Sequence, residues 1–313
     1  MKTIICIILA IVSSSFAQAQ ESLLHTWRAA LTVVDETNQP VPDAEISVIY
    51  DAPRNSDGAT VGGKISGLTD TNGLFSASHH DGTLRLLFRV RKAGYYQTSV
   101  PYEIALLGQP VEPAKLTVTE TLVLKKIGQP IPMYAKHIHG GRFTTNQPVG
   151  YDLVAGDWVA PYGKGQTATI LFTKHYKEIS KNDYDSKIVI SFPNRGDGIQ
   201  EFIANENSPG SEFRSPHNAP IDGYQPQILR DRSEHRGRPG NFDYDQSRNY
   251  FIRVQTILDE QGNVKSALYG KVYGDFMDFI YYLNPEPNSR NVEFDPKSNL
   301  LKVKEFDEQA KAP

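Results

Sequence analysis

The sequence predicts an all-β protein of two sandwich-like domains, and three features carry that reading. Apolar residues recur with a period of two, the mark of strands that bury one face. Turn-forming clusters at 38–44 and 69–75, and a Gly94-Tyr95-Tyr96 corner, separate these runs. Proline presets the φ of a turn and Asn-Gly tolerates φ > 0, so both reverse a strand at low steric cost. Nowhere is a helical period sustained. At 313 residues, 39% apolar and 22% charged, the composition suits two globular domains and not a disordered or collagenous chain.

Residues 1–19 read as a cleavable secretory signal: a basic Met1-Lys2 start, an apolar run over 3–12 and a small-x-small exit at Ala17-Gln18-Ala19. The run is too short to span a membrane. Cleavage is expected after Ala19, leaving a linker at 20–25. The lone cysteine, Cys6, departs with the signal, so the mature chain relies on sheet burial and not on disulfides. The net charge of -3 becomes one unit more negative when Lys2 leaves. No basic stripe recommends nucleic acid or an anionic membrane surface as partner. No later apolar run approaches the length of a span, and 309–313 reads as a polar tail. The expected location is the periplasm or the external medium.

The first domain is expected over 26–126. Ala29, Leu31 and Val33 alternate with Arg28, Ala30 and Thr32, and Ile46, Val48 and Tyr50 repeat the pattern after the proline turn. A polar excursion over 51–64 precedes a strand at 67–70. Leu84, Leu86, Phe88 and Val90 face one way while Arg85, Arg89 and Arg91 face the other, giving the clearest strand of the domain. Leu116, Val118, Leu122 and Leu124 close the set, with Glu120 the odd member of the apolar face.

Pro40-Val41-Pro42 with Ala44, then Thr69-Asp70 with Gly73 and Phe75, then Gly94-Tyr95, occur in that order. Together they make this third of the chain resemble the carboxypeptidase regulatory-like, or transthyretin-like, domain. Asn38 and Asp43 stand where that pattern has glycine, and both residue types tolerate turn geometry. The resemblance implies a Greek-key β-sandwich and an accessory role, stabilising a neighbour or contacting a partner. The peptidase of the family name is a separate zinc domain, and no His-Glu-x-x-His occurs in this chain.

The second domain, 127–308, is expected to be a larger β-rich sandwich or jelly roll. Gln129-Pro130-Ile131-Pro132 makes a stiff junction before a strand at 133–139. An aromatic, glycine-punctuated loop over 158–165 leads into a strand at 167–173, and 187–192 forms another. The best hairpin runs out through Tyr250, Ile252, Val254 and Leu258, turns at 259–263, and returns through Val264, Leu268, Val272 and Phe276. Gly270 and Gly274 in the return strand suggest a bulge or a close backbone approach. A buried strand at 279–283 ends at Asn284-Pro285. Between these elements lies a long polar excursion, 193–249. A loop of that length is functional or disordered, and its apolar residues, among them Phe202, Phe213 and Tyr224, favour an ordered cover over one sheet face.

Motifs with a mechanism are few. His137 and His139, two apart on a strand, place both imidazoles on one side, a geometry metal sites use. A third ligand, such as His175 or Asp157, would have to come from elsewhere, so surface histidines beside Gly140-Gly141 are the plainer reading and no cofactor is expected. Asp70-Thr71-Asn72-Gly73 reads as a tight turn sooner than the start of a calcium loop. Gly163-Lys164-Gly165 precedes a strand and not the helix of a phosphate loop. Arg195-Gly196-Asp197 matches an adhesion tripeptide of the length that arises by chance, and no Gly-x-Ser-x-Gly elbow occurs.

Aromatic residues in loops are the better lead. Trp158, Tyr162, Tyr224 and Tyr244, with Asp222 and Arg230, combine flat faces with hydrogen-bonding groups as sugar- and protein-binding surfaces do. The competing reading is that these rings fill a core. The expected function is a non-catalytic binding or accessory protein of the cell envelope, contacting polysaccharide or another envelope protein. A secreted glycan hydrolase using carboxylates of the 195–245 segment, or a purely structural protein, are the alternatives.

Overall fold

A computed structural model describes residues 24–54, 60–106, 109–139, 145–236, 248–274 and 276–313. The expected signal peptide at 1–19 and Tyr244 lie outside the described residues. The protein is all-β. Among the described residues the one helical element is a single 3-10 turn, Pro113–Leu116, and no helix is long and apolar enough to cross a membrane. The chain divides into two compact units: residues 1–127 with 207–212, and residues 128–206 with 213–313.

The first unit faces a three-stranded sheet with a four-stranded one. Strands β4 (Leu74–Asp81), β1 (His25–Asp35) and β7 (Thr117–Leu124) form the first, with β1 parallel to β7. Strands β3 (Thr60–Leu68), β2 (Glu45–Arg54), β5 (Arg85–Arg91) and β6 (Thr98–Glu103) form the second. Trp27, Ala29, Leu31 and Val33 of β1 meet Ile46, Val48, Leu86, Phe88 and Val90 in one buried core. The alternation read from the sequence is the alternation of this core.

The two turn motifs of this unit are fastened to each other. Asn38 and Asp43 adopt φ of 60° and 50°, the left-handed conformation a glycine would supply. The hydroxyl of Thr69 donates to the carbonyl of Val41 at 2.7 Å and accepts the N–H of Ala44 at 2.9 Å. Asp70 accepts the N–H groups of Asn72 and Leu74, closing the second turn. The 51–64 excursion is corrected: β2 runs on to Arg54 and β3 begins at Thr60, so most of it is a long hairpin.

The second unit pairs a five-stranded with a six-stranded sheet. The first has the order β10 (Asp157–Trp158), β9 (Pro148–Asp152), β11 (Ile170–Ser180), β12 (Asp183–Ser191), β14 (Gln227–Asp231). The second has the order β13 (Gly198–Ile203), β15 (Arg248–Leu258), β16 (Val264–Gly274), β17 (Asp278–Leu283), β8 (Ile131–His139), β18 (Phe294–Asn299). Phe172, Ile190, Tyr250, Ile252, Phe279 and Tyr281 belong to the core between them. A second cluster, with Phe251, Tyr269, Tyr273, Tyr282 and Phe294, takes the alternate residues of the six-stranded sheet. Burial on both faces explains why the run at 279–283 is apolar throughout.

The excursion at 193–249 carries two strands of its own, β13 and β14, one in each sheet. The β15–β16 hairpin has its irregularity between Val254 and Leu258, where Gln255 has φ of 54°, and not at the glycines. Gly270 is a close approach instead: a Cβ there would lie 2.4 Å from the carbonyl oxygen of Tyr282.

The outer edge of β8 is covered in pieces. Ile131 N–H donates to the Glu293 carbonyl, and the side-chain amide of Asn299 bonds both the N–H and the C=O of Ala135, standing in for a strand. His137 N–H donates to the carbonyl of Glu308. The last residues are therefore not a free polar tail: Ala310 is buried and Ala312 accepts the hydroxyl of Tyr282 at 3.0 Å.

Candidate functional site

The loop between β9 and β11 is built around two carboxylates. Asp152 accepts four backbone N–H groups at 3.0 Å, those of Val154 and Ala155 on one oxygen and of Gln166 and Thr167 on the other. Desolvation pushes its carboxyl up, but those four bonds outweigh burial and hold it below the usual range. Asp157 accepts Trp158 N–H and Lys164 N–H, one on each oxygen. The amides of Lys164 and Gly165 thus meet the Asp157 carboxylate and the Trp158 carbonyl, and the segment is not a phosphate cradle. A Cβ on Gly163 would lie 2.3 Å from the Trp158 carbonyl oxygen, which is why the loop needs glycine there.

This loop walls a cleft of about 170 Å³. Lys136 and His139 enter from β8, Glu308 from the C-terminal segment, and Asp157 and Tyr162 from the loop, with Tyr151 and Trp158 lining the rest. Lys136 Nζ and Glu308 form an ion pair at 3.0 Å. Tyr162 is half-buried, with its ring at the core margin. Trp158 is only 7% exposed and is wedged edge-on to Tyr151 at 5.0 Å and against Phe172 at 5.5 Å. It is a core residue whose rim reaches the cleft, so it offers no flat face to solvent.

The sequence-selected residues fall in separate places. Trp158 and Tyr162 share the cleft. Tyr224 packs in the second cluster, its hydroxyl donating to the Pro220 carbonyl at 2.9 Å and its ring under the Arg253 guanidinium at 4.7 Å. Arg230 is buried over the Tyr250 ring, with Glu201 at 3.5 Å. Asp222 is exposed beside Gly223. Lys136, Glu308 and Tyr151 escaped notice because nothing in their local sequence marks them.

Of the carboxylates of the 195–245 segment, Asp197 and Glu201 are engaged, and Asp243 and Asp245 lie outside the described residues. Asp197 accepts Thr256 N–H at 2.8 Å and also bonds Gln255 N–H and Asn194, and burial pushes its carboxyl up. It is 6% exposed, so the Arg195-Gly196-Asp197 tripeptide does not present its acid. Glu201 pairs with Arg230 and Arg248. His175 and Glu178 have the His-x-x-Glu spacing, but on strand β11 an odd separation sends them to opposite faces, and His175 bonds Asn146.

His137 and His139 do find a third partner, and it is Asp278, not His175 or Asp157. One donor atom from each lies within 4.8 Å of the others. The imidazole centroids are 3.8 Å apart. The Asp307 carbonyl, accepting the Nε2–H of His139, and then the Asp278 carboxylate, hold His139 above the usual histidine range.

No protein-family model and no curated protein matches the chain. Solved structures that resemble parts of it do so at a distance. The 3-chlorocatechol 1,2-dioxygenase from Rhodococcus opacus 1CP aligns over 33% of this chain and 60% of its own, at 16% identity and a TM-score of 0.24. The catechol 1,2-dioxygenase from Acinetobacter radioresistens covers 34% and 53%, at 15% identity and a TM-score of 0.25. The shaft pilin SpaA from Lactobacillus rhamnosus GG, as its D295N mutant, covers 75% and 89%, at 11% identity and a TM-score of 0.24. The chain spans about three fifths of the length of the first of these, and superpositions this loose carry no argument about chemistry.

Proposed function

We propose that this is an exported, non-catalytic binding protein of the cell envelope whose second unit recognises polysaccharide through the cleft beside Tyr162. The first unit, with its resemblance to carboxypeptidase regulatory-like domains, serves as the accessory module. One observation carries the reading: a half-buried tyrosine ring shares a cleft of about 170 Å³ with Lys136, His139, Asp157 and Glu308. An aromatic face with charged and hydrogen-bonding groups around it suits the apolar side and hydroxyl edges of a sugar ring.

Asp157 and Glu308 line the same cleft, which gives the hydrolase reading its best pair. Glycoside hydrolysis needs one carboxyl free to protonate the leaving oxygen. Both oxygens of Asp157 are bonded to backbone N–H groups and Glu308 is bridged to Lys136, so these acids serve the architecture and the ligand before any proton transfer.

Glycan-array screening of the mature protein and of Tyr162→Ala tests the reading. Binding of a defined glycan class, lost in Tyr162→Ala with the fold intact, is the expected result. No glycan bound at micromolar protein concentration, or binding indifferent to Tyr162, overturns it.

A further inference from the structure

We propose that His137, His139 and Asp278 form a binding site for a divalent transition metal of zinc type. Three observations place these side chains as ligands. In the antiparallel pairing of β8 with β17, His139 lies directly opposite Asp278, and His137 is two residues away on the same face of β8. The sheet therefore fixes two imidazoles and a carboxylate side by side, across 141 residues of sequence.

The distances suit a small cation. Tetrahedral zinc with bonds of about 2.0–2.1 Å holds its ligands roughly 3.3 Å apart. His139 Nδ1 lies 3.5 Å from Asp278 Oδ1, and His137 Nε2 lies 2.5 Å from the same oxygen. The second gap opens to ligand spacing by a shift of under about 1 Å, and 63% of the Asp278 side chain is exposed.

The tautomer is also arranged. His139 Nε2 lies 2.9 Å from the carbonyl oxygen of Asp307. A carbonyl only accepts, so Nε2 carries the hydrogen and, in the neutral ring that binds metal, Nδ1 keeps the lone pair on the side of Asp278. A backbone carbonyl orienting a ligating histidine through its other ring nitrogen is the usual outer support of a metal site. Two nitrogens and one oxygen suit zinc and its neighbours, whereas calcium and magnesium take oxygen sets. Side-chain exposures of 24% and 40% for His137 and His139 leave the fourth position open to water or to a ligand atom.

The proposal stands without the polysaccharide reading, since it is tested with the metal alone. The full mature chain is stripped with a chelator and titrated with Zn²⁺ by calorimetry, and with Co²⁺ by visible absorption. One Zn²⁺ per chain at micromolar affinity or tighter is expected, with a visible Co²⁺ band of tetrahedral intensity. Asp278→Asn should weaken binding more than about tenfold, and His137→Gln with His139→Gln should abolish it. His175→Gln should leave it unchanged. All four residues are partly exposed, so the variants should fold, which circular dichroism checks; Zn²⁺-induced shifts of the imidazole nitrogens of His137 and His139 in the unaltered chain give a readout that needs no variant. Absence of stoichiometric binding, or binding that survives the double histidine variant, overturns the proposal.

Discussion

Asp152 accepts the backbone N–H of Thr167 at 3.0 Å, closing a loop whose other end the same carboxylate holds through Val154 and Ala155. An amide in its place keeps one acceptor and turns an NH2 toward two N–H donors. Asp152→Asn should therefore cost about 2–4 kcal/mol in urea unfolding at neutral pH. The folded carboxyl sits below its ordinary value of 3.8, so its stabilisation is present above that value and is lost as pH falls through the depressed one. The gap between the two proteins should narrow in acid, and a gap constant from neutral pH to pH about 2 would contradict this account.

Trp158→Ala removes a ring wedged between Tyr151 and Phe172 and should destabilise the second unit by about 3–5 kcal/mol. Tyr162→Ala, at the core margin, should cost about 1 kcal/mol. Thermal denaturation of both decides which variant reports on binding: loss of ligand in the tryptophan variant reflects the fold, and in the tyrosine variant the site.

Thr69→Val keeps the shape of a buried side chain and deletes the hydroxyl that joins Val41 and Ala44. A buried carbonyl and a buried N–H lose their partner, so the expected loss is about 2–4 kcal/mol by chemical denaturation. A change within about 0.5 kcal/mol would show that water replaces the hydroxyl.

Burial pushes the Tyr273 phenol up to about 12 and raises those of Tyr281 and Tyr282 well above 10. In the unfolded chain these groups lose their protons near 10. The unfolded state thus binds fewer protons over that interval, and stability falls as pH rises from about 10 toward 12. Phenolate absorbance from these three rings should appear together with loss of near-ultraviolet circular dichroism, in one cooperative step. Gradual ionisation with the dichroism intact would refute it.

Strands that bury one face were legible, as β1 and β5 show in their alternation, and the β15–β16 hairpin was legible from its two apolar runs about a turn although it buries residues on both faces. Those the sequence hid lack that contrast. β18 carries Asp295, Pro296, Lys297 and Ser298 and bonds β8 only at its ends. β14 is a five-residue edge strand, and β9 includes Pro148 and Gly150. Asn38 and Asp43 could be read as glycine substitutes because turn geometry is local. The site was legible only in part, since Tyr162 and the two histidines announce themselves by type. Asp278 acquires meaning through strand pairing and Glu308 through the bonds of the C-terminal segment to β8, each across more than a hundred residues, which no local pattern encodes.

The piecemeal cover along β8 has a bearing on whether other chains can pair with this border. A strand rim with idle donors and acceptors invites another chain to continue the ladder. Here the invitation is withdrawn by the Asn299 amide and by Glu308, near the very end of the chain. Removing residues 305–313 would leave the His137 N–H without its acceptor and open that stretch of the border to another chain.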